Sequence, residues 1–137
     1  MNRLNGQIAA IDSNSHMSLV DVAVEGDVFT ATLLETPETA DYLKVGSKVT
    51  LLFKETEVSL AKNLSGLISL RNRFRVTITG IERGDILSVV RLDFAGKGLM
   101  SVITTRSLDR LELVVNDTVE ALVKANEIAL MAGYHDS

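Results

Sequence analysis

Ser88-Val89-Val90-Arg91-Leu92-Asp93-Phe94, then Ala95-Gly96-Lys97-Gly98, then Leu99-Met100-Ser101-Val102-Ile103-Thr104 carries the pattern that decides the fold. The first segment alternates apolar and polar residues, the period of a strand with one buried face. The glycine-containing segment is a hairpin turn. The third is rich in β-branched and aliphatic residues and reads as the return strand. Seventy residues earlier the same order occurs in Ser18–Val24, Glu25-Gly26-Asp27 and Phe29–Leu34.

That coincidence extends in both directions. An offset of seventy aligns Leu4–Leu60 with Phe74–Leu130 without a gap, and twelve of the 57 pairs are identical. They include Ile8/Ile78, Ser18/Ser88, Gly26/Gly96, Val49/Val119 and Lys54/Lys124. A shared aliphatic composition would not hold both ends at one offset, so the chain is a tandem repeat. The repeats divide it into residues 1–64 and 65–137.

Within each copy, Gln7–Asp12 and Thr77–Glu82 are short β-prone runs. Asn14-Ser15 and Arg83-Gly84-Asp85 supply turn residues. Pro37–Leu43 and Ser107–Leu113 suit one or two helical turns, with Ser107 or Asp109 as N-cap. Val49–Phe53 and Val119–Val123 are strands, continued by Thr56–Leu60 and Asn126–Leu130. Five short strands with one short helix before the fourth imply an all-β fold, two OB-like five-stranded β-barrel modules in tandem.

Composition narrows the function. Hydrophobic residues make up 46% of the 137 positions, but aromatics only 4%, so the core is aliphatic. The formal net charge of -4 argues against a nucleic-acid partner, which calls for a basic face. It leaves room for a small anion, which needs only a few aimed donors. Cysteine is absent, excluding disulfides, thiolate nucleophiles and Cys-ligated metals. His16 and His135 are too few for a metal site. No nucleophile–base pair is apparent, and an enzyme is not expected. No signal peptide or membrane-spanning run is visible, so a cytoplasmic location without membrane insertion is expected.

Four short stations then stand in order in the second copy: Ser69-Leu70-Arg71-Asn72, Glu82-Arg83-Gly84, Ser101-Val102-Ile103-Thr104-Thr105 and Val123-Lys124-Ala125-Asn126-Glu127-Ile128. Their order and spacing resemble the molybdate-binding Mop/TOBE family. The first copy keeps Thr30-Ala31-Thr32 and Phe53-Lys54-Glu55-Thr56-Glu57-Val58. It departs at the front, where Arg71 aligns with Met1 and only Asn2-Arg3 matches Asn72-Arg73.

The resemblance implies OB-like modules that hold molybdate or tungstate, with no organic cofactor, often where subunits of a homo-oligomer meet. It points to Ser69, Arg71, Asn72, Ser101, Thr104, Lys124 and Ala125 in the second copy, and to Lys54 and Thr56 in the first. The chemistry suits the ligand. Molybdate oxygens only accept hydrogen bonds, so a selective site offers donors alone. Arg71 can give a forked, charge-assisted pair. Ser69, Ser101 and Thr104 carry hydroxyls, Lys124 a point charge. Ser69, Asn72 and Ala125 can present backbone N–H groups. Each residue also has an ordinary reading: strand-end lysines as edge gatekeepers, Arg71–Arg75 as a solvated cationic run, the hydroxyl residues as strand formers. The expected function is oxyanion storage, buffering or sensing, with one complete half-site around Ser69–Asn72 and Lys124 and a partial one around Lys54. The competing expectation is a structural or regulatory module, such as a transporter accessory domain, with a degenerate site.

Overall fold

The computed structural model describes residues 1–135. Ten strands form two five-stranded antiparallel sheets: β1 (Asn2–Ser13), β2 (Ser18–Val24), β3 (Asp27–Leu33), β4 (Lys48–Phe53), β5 (Ser59–Ala61), β6 (Asn72–Glu82), β7 (Leu87–Phe94), β8 (Lys97–Thr104), β9 (Thr118–Val123) and β10 (Ala129–Ala132). One α-helix, α1, spans Thr105–Arg110.

The sheets do not follow the repeats strand for strand. One has the order β10-β4-β1-β2-β3, the other β5-β9-β6-β7-β8. The short last strand of each copy completes the sheet of the other. The chain therefore divides into a first unit, Met1–Phe53 plus the chain from Lys124 onward, and a second unit, Lys54–Val123. These units cut across the sequence repeats 1–64 and 65–137. Periodicity reveals that a strand exists, not which partner it pairs with.

In the first unit, β1 is long because it serves two partners. Its front half pairs with β4 and its back half with β2. A bulge at Ala9 bends it between the two. The same bulge recurs at Thr79 in β6, which pairs with β9 and β7 in the same way. Bulges increase local twist and let a sheet curl. The side chains turned inward are Leu4, Ile8, Val20, Val22, Val24, Phe29, Leu51 and Phe53, all buried. In the second unit they are Phe74, Val76, Ile78, Val90, Leu92, Phe94, Leu99 and Val123. Phe74 and Phe94 meet edge to face at 5.2 Å. Each buried aliphatic or Phe side chain contributes about 1.5–3 kcal/mol, so the aliphatic side chains and the four buried Phe together hold each sheet curled around its core.

Gly6 marks a close approach. A Cβ there would lie 2.5 Å from the Ala23 carbonyl oxygen, and the aligned residue of the second copy is Val76. The two hairpins turn through Glu25-Gly26 and Ala95-Gly96, all at positive φ. That conformation fits the strand twist and is easiest for glycine. Lys97 and Gly98, expected in the turn, belong to β8 and pair with Phe94 and Asp93.

Three local expectations need correction. Residues 37–43 form successive turns rather than a helix: Thr39 donates its N–H to the Thr36 carbonyl, and the Thr39 hydroxyl accepts from the Thr36 N–H at 2.9 Å. Such side-chain bonds compete with helix formation. In the second copy α1 is capped by Thr104, not Ser107 or Asp109; its side chain accepts from the Ser107 N–H. Thr56 and Asn126 lie in 3-10 turns, Glu55–Glu57 and Ala125–Glu127, before the last strands begin.

Candidate functional site

Two of the four stations meet through strand register. β6 begins at Asn72, whose ladder partner is Val123, the last residue of β9. Asn72 is 2% exposed, and its Nδ2 donates to the Val123 carbonyl at 3.0 Å. The next residue is Lys124. The Ser-x-Arg-Asn signature and the lysine station, far apart in sequence, thus belong to one ladder end. The first copy repeats the arrangement, with Asn2 opposite Phe53 and Lys54 next in line. Asn2 is also buried. A buried amide is tolerated only when bonded, since an unsatisfied one costs about 1–3 kcal/mol. Asn72 thus anchors the ladder end beside Lys124.

The other expected residues divide into two groups. Ser69, Arg71, Lys54, Thr56 and Lys124 are exposed, and Ala125 is half-buried as the first residue of its 3-10 turn. Ser101 and Thr104 have other work. Ser101 is buried in β8, and its hydroxyl donates to the Val58 carbonyl at 2.7 Å. A serine has one hydroxyl hydrogen, so this bond leaves Ser101 no hydrogen for an anion. Ser101 thereby holds the segment that follows Lys54, not the one that follows Lys124. Thr104 caps α1 and donates to the Ser107 hydroxyl at 2.9 Å.

The cationic run is not uniformly solvated. Arg73 forks onto Glu120 through Nε and Nη2, at 2.9 and 3.2 Å. That bond, with the charge of Arg75, holds the Glu120 carboxyl below its ordinary range. Arg75 lines a 180 Å³ cavity with Asn63, Thr118 and Glu120. The alternating burial of residues 72–78 puts Arg73 and Arg75 on one face of β6, and only the bond to Glu120 tells them apart. Because Glu120 also lines it, the cavity is not a donor-only site.

The Glu-x-Gly station is structural. Glu82 pairs with Arg91, and Arg83 grips Asp109 at 2.6 and 2.7 Å. The Asp109 carboxyl is lowered by that bond. A Cβ at Gly84 would meet the Leu87 carbonyl oxygen at 2.2 Å, so the turn accepts only glycine.

The TOBE domain model matches residues 1–60 and 68–130. The chain belongs to the TOBE family. The chain is 46% identical over 84 residues to the molybdenum import ATP-binding protein ModC of Brucella abortus, covering 61% of this chain and 23% of that one. The molybdenum transport protein ModE of Herbaspirillum seropedicae is 33% identical over 127 residues, 90% of this chain and 47% of its own. The chain thus spans less than half of the curated relatives it matches. A solved structure of the cytoplasmic molybdate-binding protein ModG, with molybdate bound, superimposes with a TM-score of 0.89 at 27% identity. That match covers 96% of this chain and 95% of the other. The all-β architecture is therefore shared over nearly the whole of both chains. Among the described residues, no helix is long and apolar enough to cross a membrane, and no group of three or more His, Asp or Glu side chains could hold a metal ion.

Proposed function

We propose that this TOBE chain binds a tetrahedral oxyanion, molybdate or tungstate, inside the cell for storage, buffering or sensing, without catalysis. The observation that carries the reading is the ladder register. It puts Asn72 opposite Val123, directly before Lys124, so that the Ser69–Asn72 signature and the lysine station share one end. Arg71, Ser69 and the N–H groups of Asn72 and Ala125 supply donors, and Lys124 supplies charge. Ser101 and Thr104 act as supports. Lys54 and Thr56 form the weaker counterpart, because Glu55 stands where the second copy has Ala125. A carboxylate beside a donor set repels a dianion. The full-length likeness to a molybdate-binding protein supports the ligand class. Homo-oligomers would complete each half-site, with residues 1–64 and 65–137 as the repeating sequence units.

Native mass spectrometry with and without molybdate, against sulfate, tests this directly. Molybdate-specific ion adducts and a change in assembly are expected. Arg71→Ala and Lys124→Ala should each weaken binding about ten- to a hundredfold, the loss of a charge-assisted hydrogen bond. Equal adducts with sulfate and molybdate would sink the reading. The ModC match, confined to 61% of this chain, favours a second reading, an accessory module of a transporter. In that case the anion adducts are absent, while the fold and assembly are unchanged.

A further inference from the structure

The two copies differ at the turn between their first two strands. In the second unit, the Ser88 hydroxyl lies 2.7 Å from that of Thr105, and Thr105 donates to the Gly84 carbonyl at 2.8 Å. Thr105 has only one hydroxyl hydrogen, so Ser88 is the donor between them. The Gly84 N–H reaches back to the Ser88 oxygen at 3.4 Å. The ring of bonds is closed.

The aligned residues of the first copy are Ser18, Glu35 and Asn14. Glu35 is exposed and accepts from the Tyr42 hydroxyl at 2.6 Å. The Asn14 carboxamide oxygen accepts from the N–H groups of His16 and Met17. The neighbouring buried threonine, Thr36, has its hydroxyl 3.4 Å from that of Thr39. Ser18 is 1% exposed, and its hydroxyl has no hydrogen-bond partner. Native folds rarely leave a buried hydroxyl unsatisfied.

Ser18 lines a 260 Å³ cavity with Asp12, Ser13, Thr32, Met17 and Leu19. A 420 Å³ cavity shares Ser13 and Asn14 with it and adds Ser15, Thr36, Thr39 and Glu38. Both are lined by hydroxyls, by the Asn14 carboxamide and by one carboxylate each, and neither is lined by a cationic side chain.

We propose that this groove binds a small, neutral, polyhydroxylated molecule. A ligand hydroxyl takes the place that Thr105 fills in the other copy, accepting from Ser18. Asp12 and Glu38, as carboxylates, can only accept, so they select further hydroxyl donors. The same charges reject an oxyanion, which separates this groove from the site at the ladder end. Met17 and Leu19, both partly exposed, offer an apolar surface for the carbon face of the ligand.

The test is a ¹⁵N–¹H NMR titration of the full chain with myo-inositol, D-glucose and glycerol, and with sulfate as the anionic control. Saturable shifts are expected at the amides of Ser13, Met17, Ser18, Leu19 and Thr32 for at least one polyol, and none there for sulfate. Glu35→Thr rebuilds the threonine of the second copy and should weaken the binding about tenfold or more. Ser18→Ala should do the same; Glu35→Thr, on an exposed residue, keeps the test valid if Ser18→Ala disturbs folding. No saturable shift with any polyol would overturn the proposal and leave the groove to water alone. Shifts undiminished in both variants would overturn it equally.

Discussion

The second unit is one continuous stretch, Lys54–Val123, whereas the first is split and depends on the chain beyond Lys124. Both have the same strand order, the same bulge and the same two-residue hairpin turn. They differ at the ends of the strands. The second unit closes its turn with Ser88, Thr105 and Gly84 and caps a helix with Thr104. The first has turns held by Thr36 and Thr39, and an unbonded Ser18. Ladders tolerate divergence because backbone bonds and an aliphatic face specify them. Strand ends do not, because their polar groups need particular side chains.

The largest test of this comparison is truncation after Val123. It removes β10, an edge strand of the first unit, together with the 3-10 turn before it, and takes nothing from the second. Hydrogen-exchange protection should be lost across β1–β4 and retained across β6–β9. Equal protection in both units would show that the last strand is dispensable. Next comes Gly6→Val. It installs the residue the second copy carries at Val76, but against the Ala23 carbonyl. Overpacking of this kind costs ~3 kcal/mol, read from urea midpoints. A cost of less than 1 kcal/mol would mean that β1 and β2 can move apart freely.

Smaller effects sharpen the contrast at the turn. Thr105→Ala leaves Ser88 without its acceptor and should cost about 2 kcal/mol. Glu35→Ala, on an exposed residue, should stay within about 0.5 kcal/mol. Comparable losses would erase the distinction between a closed and an open turn. The smallest effect is on pH. Glu120 is held down by its bond to Arg73 and Asp109 by its bond to Arg83. Asp117 is lowered by the Val114 N–H and then by Lys62. A carboxyl lowered in the folded state stabilises fully above its unfolded value, about 4. That contribution is lost as pH falls through the folded value. The second unit should therefore weaken as pH drops below that range, and Glu120→Gln should flatten the slope of its unfolding midpoint against pH.

Much of the candidate site was legible in residue types alone. Ser69-Leu70-Arg71-Asn72 and Lys124-Ala125 stand out as donors without carboxylates among them. That they belong together was expected from the family resemblance alone; local pattern cannot give it, because it depends on β6 and β9 pairing in register. The roles of Ser101 and Thr104 were also hidden. A serine in a strand reads the same whether it faces a ligand or, as here, bonds the Val58 carbonyl. Arg73 and Arg75 looked alike in the cationic run until pairing with Glu120 told them apart.

The sequence alone determined that the chain is a tandem repeat of small β-rich modules, with its strands, turns and donor stations. Those features follow from local periodicity and turn chemistry, which act over a few residues. Only the tertiary structure decided which strand completes which sheet. A three- or four-residue edge strand carries too little pattern to name its partner, and its choice depends on long-range register. That choice moved the unit boundaries to Phe53/Lys54 and Val123/Lys124, right at the two lysines.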